Sequence, residues 1–112
     1  MDFPKNARVR FKSEYLEFFK GSDVKRLGVC TLFRIANEKG EARVGITIKA
    51  KVNSVYRNKL KRQIRECFRS NRKALSSFDY NVVIPGGVRV QFKTPKLVRK
   101  QLESNWSNEA PF

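Results

Sequence analysis

The stretch from Asn53 to Arg72, NSVYRNKLKRQIRECFRSNR, constrains this chain more than any other part of it. At about 100° per residue its side chains sort onto two faces of a helix. Tyr56, Leu60, Ile64, Cys67 and Phe68 form an apolar stripe with the i, i+4 recurrence of a packed helix. Arg57, Asn58, Lys61, Arg62, Arg65, Arg69 and Arg72 fall on the other side, and Glu66 is the single acid in the run. A solvated helix usually alternates its charges so that i, i+4 pairs attract. Here Arg57, Lys61, Arg65 and Arg69 are successive i, i+4 neighbours that repel. An idle surface helix gains nothing from that repulsion, whereas a polyanion neutralises it. The stretch reads as a nucleic-acid-binding helix.

The rest of the chain agrees in charge. Twenty-five Lys and Arg against ten Asp and Glu give a formal charge of +15 over 112 residues. Such a domain attracts anionic polymers and repels itself. A hydrophobic fraction of 40% supports a folded core all the same, in one domain spanning 1–112. No run of about 18 apolar residues offers a membrane span. The start, MDFPKNARVRFK, lacks the apolar stretch of a signal peptide, so a cytoplasmic protein is expected. Histidine is absent, which removes the commonest general base and metal ligand. Cys30 and Cys67 read as buried free thiols, and two distant cysteines make no zinc site unaided. Protein-based catalysis is poorly supported.

Residues 1–12 form a basic arm carrying Arg8 and Arg10, read either as a flexible terminus or as an arm that touches phosphates. Ser13 is placed to cap a short helix, SEYLEFFKG, that Gly21 ends. Tyr15 and Phe19 share one face of it, as core or as a surface lining. Period-two patterns over Lys25–Ala36 and Ala42–Lys49, separated by the turn Asn37–Gly40, predict an antiparallel hairpin. Asn53 or Ser54 caps the basic helix, and the pair Ser76-Ser77 follows its end. Tyr80–Ile84 reads as a buried strand stopped by Pro85-Gly86-Gly87, and Val88, Val90 and Phe92 as an ambiguous extended segment. Thr94-Pro95 opens a last helix with Val98, Leu102 and Trp106 as its stripe, and 107–112 is read as a loose tail. The order is αβββαβα, an α+β fold with three helices on a small mixed four-stranded sheet.

From Val55 to Arg69 the sequence resembles the protein subunit of bacterial ribonuclease P. That family carries Arg-Asn-x-x-Lys-Arg-x-x-Arg-x-x-Phe on its central helix, and Arg57, Asn58, Lys61, Arg62, Arg65 and Phe68 fill those places in order. Arg43-Val44-Gly45 matches the family's strand end, and Tyr15, Phe19 and Gly21 match its N-terminal helix. The approach Lys49-Ala-Lys-Val-Asn-Ser54 departs from the family's Lys-Lys-x-Gly-Asn-Ala in lacking the glycine. Lys59 stands where a second arginine is common.

The resemblance implies a fold similar to a domain of a small-subunit ribosomal protein, with a left-handed βαβ crossover where the general default is right-handed. It implies the RNA-binding subunit of a ribonucleoprotein endonuclease that removes the 5′ leader from precursor tRNA, with the chemistry and its Mg²⁺ in the RNA subunit. No cofactor or metal is expected on the protein itself, and the protein alone is expected to be monomeric. Arg57, Asn58, Lys61, Arg62, Arg65, Arg69, Lys49, Lys51, Arg8 and Arg10 are the expected RNA contacts. Asn58 can bond a base or sugar, or orient Arg57. Tyr15 and Phe19 are the expected cleft for the single-stranded leader, since stacking platforms beside cations grip single strands. Two rivals stand beside this reading. A ribosomal or other structural RNA-binding protein shares charge and fold but needs no leader cleft; a protein-only nuclease needs clustered acids for Mg²⁺, and the ten acids here are scattered.

Overall fold

A computed structural model describes residues 5–9 and 11–108. Its elements are α1 (Lys12–Lys20), β1 (Asp23–Arg26), β2 (Thr31–Ala36), β3 (Arg43–Ile48), α2 (Ser54–Asn71), β4 (Phe78–Ile84) and α3 (Thr94–Asn108), with short 3₁₀ turns at Lys5–Ala7 and Arg72–Ala74. The α+β order αβββαβα is the expected one, and the sheet has four strands of mixed direction.

The strand pairing differs from the hairpin expected of the two period-two stretches. The sheet order is β1-β2-β4-β3, so β4 separates β2 from β3. β4 runs antiparallel to β2 and parallel to β3, with Tyr80 opposite both Arg34 and Val44. The hairpin is local to the first stretch instead: Lys25–Ala36 is two strands, β1 and β2, joined where the Leu27 amide donates to the Cys30 carbonyl at 2.9 Å. Gly28 makes that reversal possible with φ +127°, and a Cβ there would strike the Gln101 amide at 2.7 Å. Alternation simply continues across the turn, which hides it from the pattern.

Helix boundaries follow local chemistry. Asn53 caps α2, its Oδ1 accepting the Tyr56 amide at 2.9 Å. At α1 the cap position falls to Phe11 rather than Ser13, and Glu14 reaches back to accept the Phe11 amide at 3.0 Å. Gly21 ends that helix as expected. Thr94 is the first residue of α3, and its hydroxyl accepts the Gln91 amide at 2.8 Å. The segment containing Val88, Val90 and Phe92 forms no strand. Ser107 and Asn108 belong to α3, so the expected tail is helical there.

The arm is likewise shorter than expected. Ala7 and Val9 are buried, and the Val9 amide donates to the Val44 carbonyl at 3.0 Å, laying this segment along the outer edge of β3. Arg10 lies outside the described residues.

The core joins one face of the sheet to α2 and α3. Leu60, Ile64, Cys67 and Phe68 of α2 are fully buried with Val98, Leu102 and Trp106 of α3 against Leu32, Val82 and Ile84. Phe68, Tyr80 and Trp106 meet edge-on, with ring centroids 5.4–6.4 Å apart. Strand alternation puts Val44 and Ile46 on this face and Arg43 and Gly45 on the other. α1 reaches the second face through Tyr15, which lies on Gly45.

Candidate nucleic-acid interface

The cations of α2 fall into two chemical groups. Arg62 pairs with Glu66 at 3.1 Å, and Glu66 also holds Arg99 of α3 at 3.1 Å. These two arginines hold the Glu66 carboxyl below the usual carboxylate range, the Arg62 hydrogen bond most of all. Arg72, expected on the basic face, turns inward instead. It donates to the carbonyls of Ala42 and Asn6 and pairs with Glu41 at 3.1 Å, fastening the N-terminal segment to the helix end. By contrast Arg57, Lys61, Arg65 and Arg69 pair with no carboxylate among the described residues. Among the described residues the repelling row is therefore left uncompensated, and Glu66, the acid of α2, is engaged by Arg62 and Arg99.

Part of that row opens into a cleft. Lys61 and Arg65 from α2, Tyr15 from α1, Arg8 and Val9 from the N-terminal segment, and Val44–Ile46 of β3 enclose about 180 Å³. The cleft sits at the β3 edge of the sheet, beside the N-terminal segment that pairs with Val44. Burial, and then the neighbouring Arg8 cation, lower the Arg65 guanidinium from its ordinary value. A partly desolvated guanidinium such as that of Arg65 gains from a neighbouring anion, and phosphate is the anion an arginine fork fits best.

Tyr15 is held firmly. Its hydroxyl donates to the Val9 carbonyl at 3.1 Å. Burial pushes that hydroxyl above its ordinary value, and the Ile46 backbone and Arg65 pull the other way without reversing it. The ring rests against Gly45, where a Cβ would come within 2.7 Å of the hydroxyl oxygen and 2.8 Å of Cε1. The side chain is only partly buried beside Lys61 and Arg65, so a face of the ring is open to a stacking base. Phe19 stands one turn further along α1 and does not line the cleft; it is 82% exposed. The aromatic that α1 buries is Phe18.

Three contributors were not singled out from sequence as cleft builders. Gly45 gives the ring its space, and a glycine inside a strand pattern is the signal for a close approach. Arg43 binds Asp79 of β4 through Nε at 2.8 Å and Nη2 at 2.6 Å, and Glu14 of α1 through Nη1 at 2.8 Å. This buried network locks the turn before Tyr15 to the sheet, and Asn37 completes it with a 2.7 Å bond to Asp79. Val9 supplies the acceptor that aims the tyrosine. Arg43 gave no hint of this role because Asp79 lies 36 residues away, and Val9 acts through a backbone carbonyl that side-chain patterning does not report.

The remaining expected contacts spread along the same flank. Arg57 is half-buried near the start of α2, and Asn58 and Arg69 are exposed. Lys49 and Lys51 are exposed on the approach to α2, where the Lys49 amide extends the sheet by donating to the Ile84 carbonyl at 2.9 Å. Neither lysine lines the cleft. Among the described residues no group of three or more His, Cys, Asp or Glu could hold a metal ion, and no helix is long and apolar enough to cross a membrane.

Comparison with known proteins gives a consistent answer. The family model described as Ribonuclease P matches residues 3–109. A ribonuclease P protein component from Citrifermentans bemidjiense is 36% identical over 90 residues, covering 80% of this chain and 78% of that protein. The component from Blochmanniella pennsylvanica is 35% identical over 106 residues, covering 92% and 90%. Among solved structures, the RNase P protein from Thermotoga maritima superposes with a TM-score of 0.71 at 30% identity, covering 90% of this chain and 96% of that one.

Proposed function

The chain belongs to the ribonuclease P protein family and is the protein subunit of the ribonucleoprotein that removes the 5′ leader from precursor tRNA; on that premise we propose how its surface is divided between two RNAs. The outer part of the α2 row, with Arg57, Asn58, Arg62 and Arg69, binds the catalytic RNA. Lys49, Lys51 and Arg10 extend that contact. The cleft of Tyr15, Arg8, Lys61 and Arg65 takes the leader of the precursor. Phe19, one turn beyond, offers a further ring to a leader nucleotide that leaves the cleft.

The observation that carries this reading is the convergence of the cationic row on a partly buried tyrosine. Lys61 and Arg65 face phosphates, and Tyr15 offers a base its ring while its hydroxyl stays committed to Val9. Single strands are held by this combination of cation and ring. The protein supplies position and charge, not a nucleophile or a base; the Mg²⁺ ions and the chemistry reside in the RNA subunit. The protein on its own is a cytoplasmic monomer in this reading.

Reconstitution tests it. Purified protein with a bacterial ribonuclease P RNA is expected to restore precursor cleavage at low Mg²⁺, and RNA-free protein to cleave nothing. Tyr15→Ala is expected to weaken the reconstituted enzyme's affinity for precursor tRNA and spare mature tRNA. Site-specific cleavage by RNA-free protein, or equal losses for both tRNAs, would refute the respective part.

A further inference from the structure

The flank of α2 away from the Tyr15 cleft carries a second basic surface. Lys61 and Arg65 point to one side of the helix, and Lys59 lies on the order of 120–160° around the axis from them at 100° per residue. There a groove of about 680 Å³ runs between α2, the loop after β4 and the start of α3. Its walls include Lys59, Phe92, Lys93, Lys96, Leu97 and Lys100. The four lysines are exposed and pair with no carboxylate among the described residues. Glu66, the acid in the groove, is already shared between Arg62 and Arg99.

The aromatic in this groove is presented rather than stranded. Phe92 is 74% exposed, yet its backbone is fixed: the Gln91 amide donates to the Thr94 hydroxyl at 2.8 Å, and the Thr94 amide returns to the Gln91 carbonyl at 3.0 Å. Those two bonds pin Phe92 and Lys93 as the centre of a tight turn at the mouth of α3. Lys59 bridges the ring to α2, its ammonium 5.9 Å from the Phe92 centroid and 5.7 Å from that of Tyr56. Leu97 and Lys100 also line a neighbouring hollow bounded by Lys25 and Arg26, so the cationic track continues across α3 toward β1.

We propose that this groove is a second RNA-binding surface, which takes a single-stranded segment by stacking one base on Phe92 while Lys59, Lys93, Lys96 and Lys100 follow the phosphates. Charge selects a polyanion, and an exposed ring beside lysines selects unpaired bases over a duplex, whose bases are already stacked. The proposal rests on the reading that the partner is RNA, and it is independent of which strand enters the Tyr15 cleft.

The test uses the full-length protein and a fluorescein-labelled oligo-uridylate of about ten nucleotides, within the usual range of single-strand site sizes. Binding is measured in the native background and in a Lys61→Ala/Arg65→Ala background that disables the other cleft. Phe92→Ala is expected to weaken binding by a factor of roughly five to a hundred and fifty in the Lys61→Ala/Arg65→Ala background, the worth of one stacked base, and to remove one of two sites in the native background, with thermal melting unchanged. Phe92→Trp is expected to keep the affinity and to change its emission as oligomer is added, against the constant background of buried Trp106. Unchanged affinity of Phe92→Ala in the Lys61→Ala/Arg65→Ala background, with or without a loss where the Tyr15 cleft is intact, overturns the proposal. So does equal binding of a duplex of the same length, and so does displacement by poly-glutamate as effective as by oligo-uridylate of equal charge, which would give the surface to an acidic protein. A loss from Phe92→Ala with none from Lys61→Ala/Arg65→Ala upholds this surface and refutes the leader cleft, so the two readings fail separately.

Discussion

Replacing Gly45 with alanine adds one methyl group to a strand and tests the cleft without touching a charge. The new Cβ would lie 2.7, 2.8 and 2.9 Å from the hydroxyl oxygen, Cε1 and Cζ of Tyr15, whereas ordinary contact begins near 3.4 Å. The ring must retreat by about 0.5–0.7 Å, the difference between those distances. Its hydroxyl bond to Val9, 3.1 Å long, resists that retreat. Losing that bond costs about 1 kcal/mol, or roughly 4 °C in the melting temperature of a domain this size. β3 itself accepts alanine, because Gly45 has no positive φ. Binding should suffer more than folding: a ring shifted off its platform forfeits up to about 1–3 kcal/mol of stacking. The assay is precursor and mature tRNA affinity of the reconstituted enzyme beside a thermal melt. Gly45→Ala is expected to lose affinity for precursor alone, with Tyr15→Phe retaining most of it. Unchanged precursor affinity in Gly45→Ala would refute the claim that this glycine positions a leader-binding ring. A collapse in stability with equal losses on both tRNAs would return Tyr15 to the core.

Three other outcomes follow from the geometry. Lys61→Ala or Arg65→Ala should each flatten the slope of log K against log salt by roughly 0.7–0.9 for RNA binding while the protein stays folded; an unchanged slope would mean the residue meets no phosphate. Arg43→Met should cost about 3–5 kcal/mol in chemical denaturation, because it leaves the Asp79 carboxylate buried without its cation, and Arg43→Met/Asp79→Leu should recover much of that; a single-variant cost below about 1 kcal/mol would contradict the network. Burial pushes the Cys30 thiol up to about 11 and, with Glu103 alongside, the Cys67 thiol up to about 12, from an ordinary value of 9.0. A folded-state value raised in this way contributes stability that is complete below pH 9 and fades as pH climbs toward 11–12, so urea midpoints should fall over that window and less so in Cys67→Ala.

How much of this was legible depended on whether the relevant partner was near in sequence. The stripe Leu60, Ile64, Cys67 and Phe68 and the row Arg57, Lys61, Arg65 and Arg69 are set by helical spacing alone, so both faces of α2 were readable, as was its Asn53 cap. Arg72 has the same charge and the same angular position, but its partners at Ala42 and Asn6 lie 30 and 66 residues away, and nothing local separates it from the free cations. Tyr15 and Phe19 share a helix face by spacing, yet only the first reaches the sheet edge, where Gly45 and Val9 receive it. Strand pairing was the largest miss. Val44 and Ile46 alternate as a strand must, and that pattern is silent on whether β2 or β4 lies alongside.

The position of β4 also bears on when the site comes into being. β4 is the last strand in the chain and the middle partner of both β2 and β3, so β3 has no neighbour within the sheet until residues 78–84 are in place. The helix bearing the cationic row is therefore synthesised before the surface that supports it, and its mutual repulsion opposes closure of the parallel pair it connects. A polyanion seated on the row removes that opposition. By mass action, RNA at a hundredfold excess over its Kd would add about 2.7 kcal/mol to the closed form. The topology thus couples the site to the fold: the strand that completes the core also carries Asp79, whose bond to Arg43 anchors the cleft.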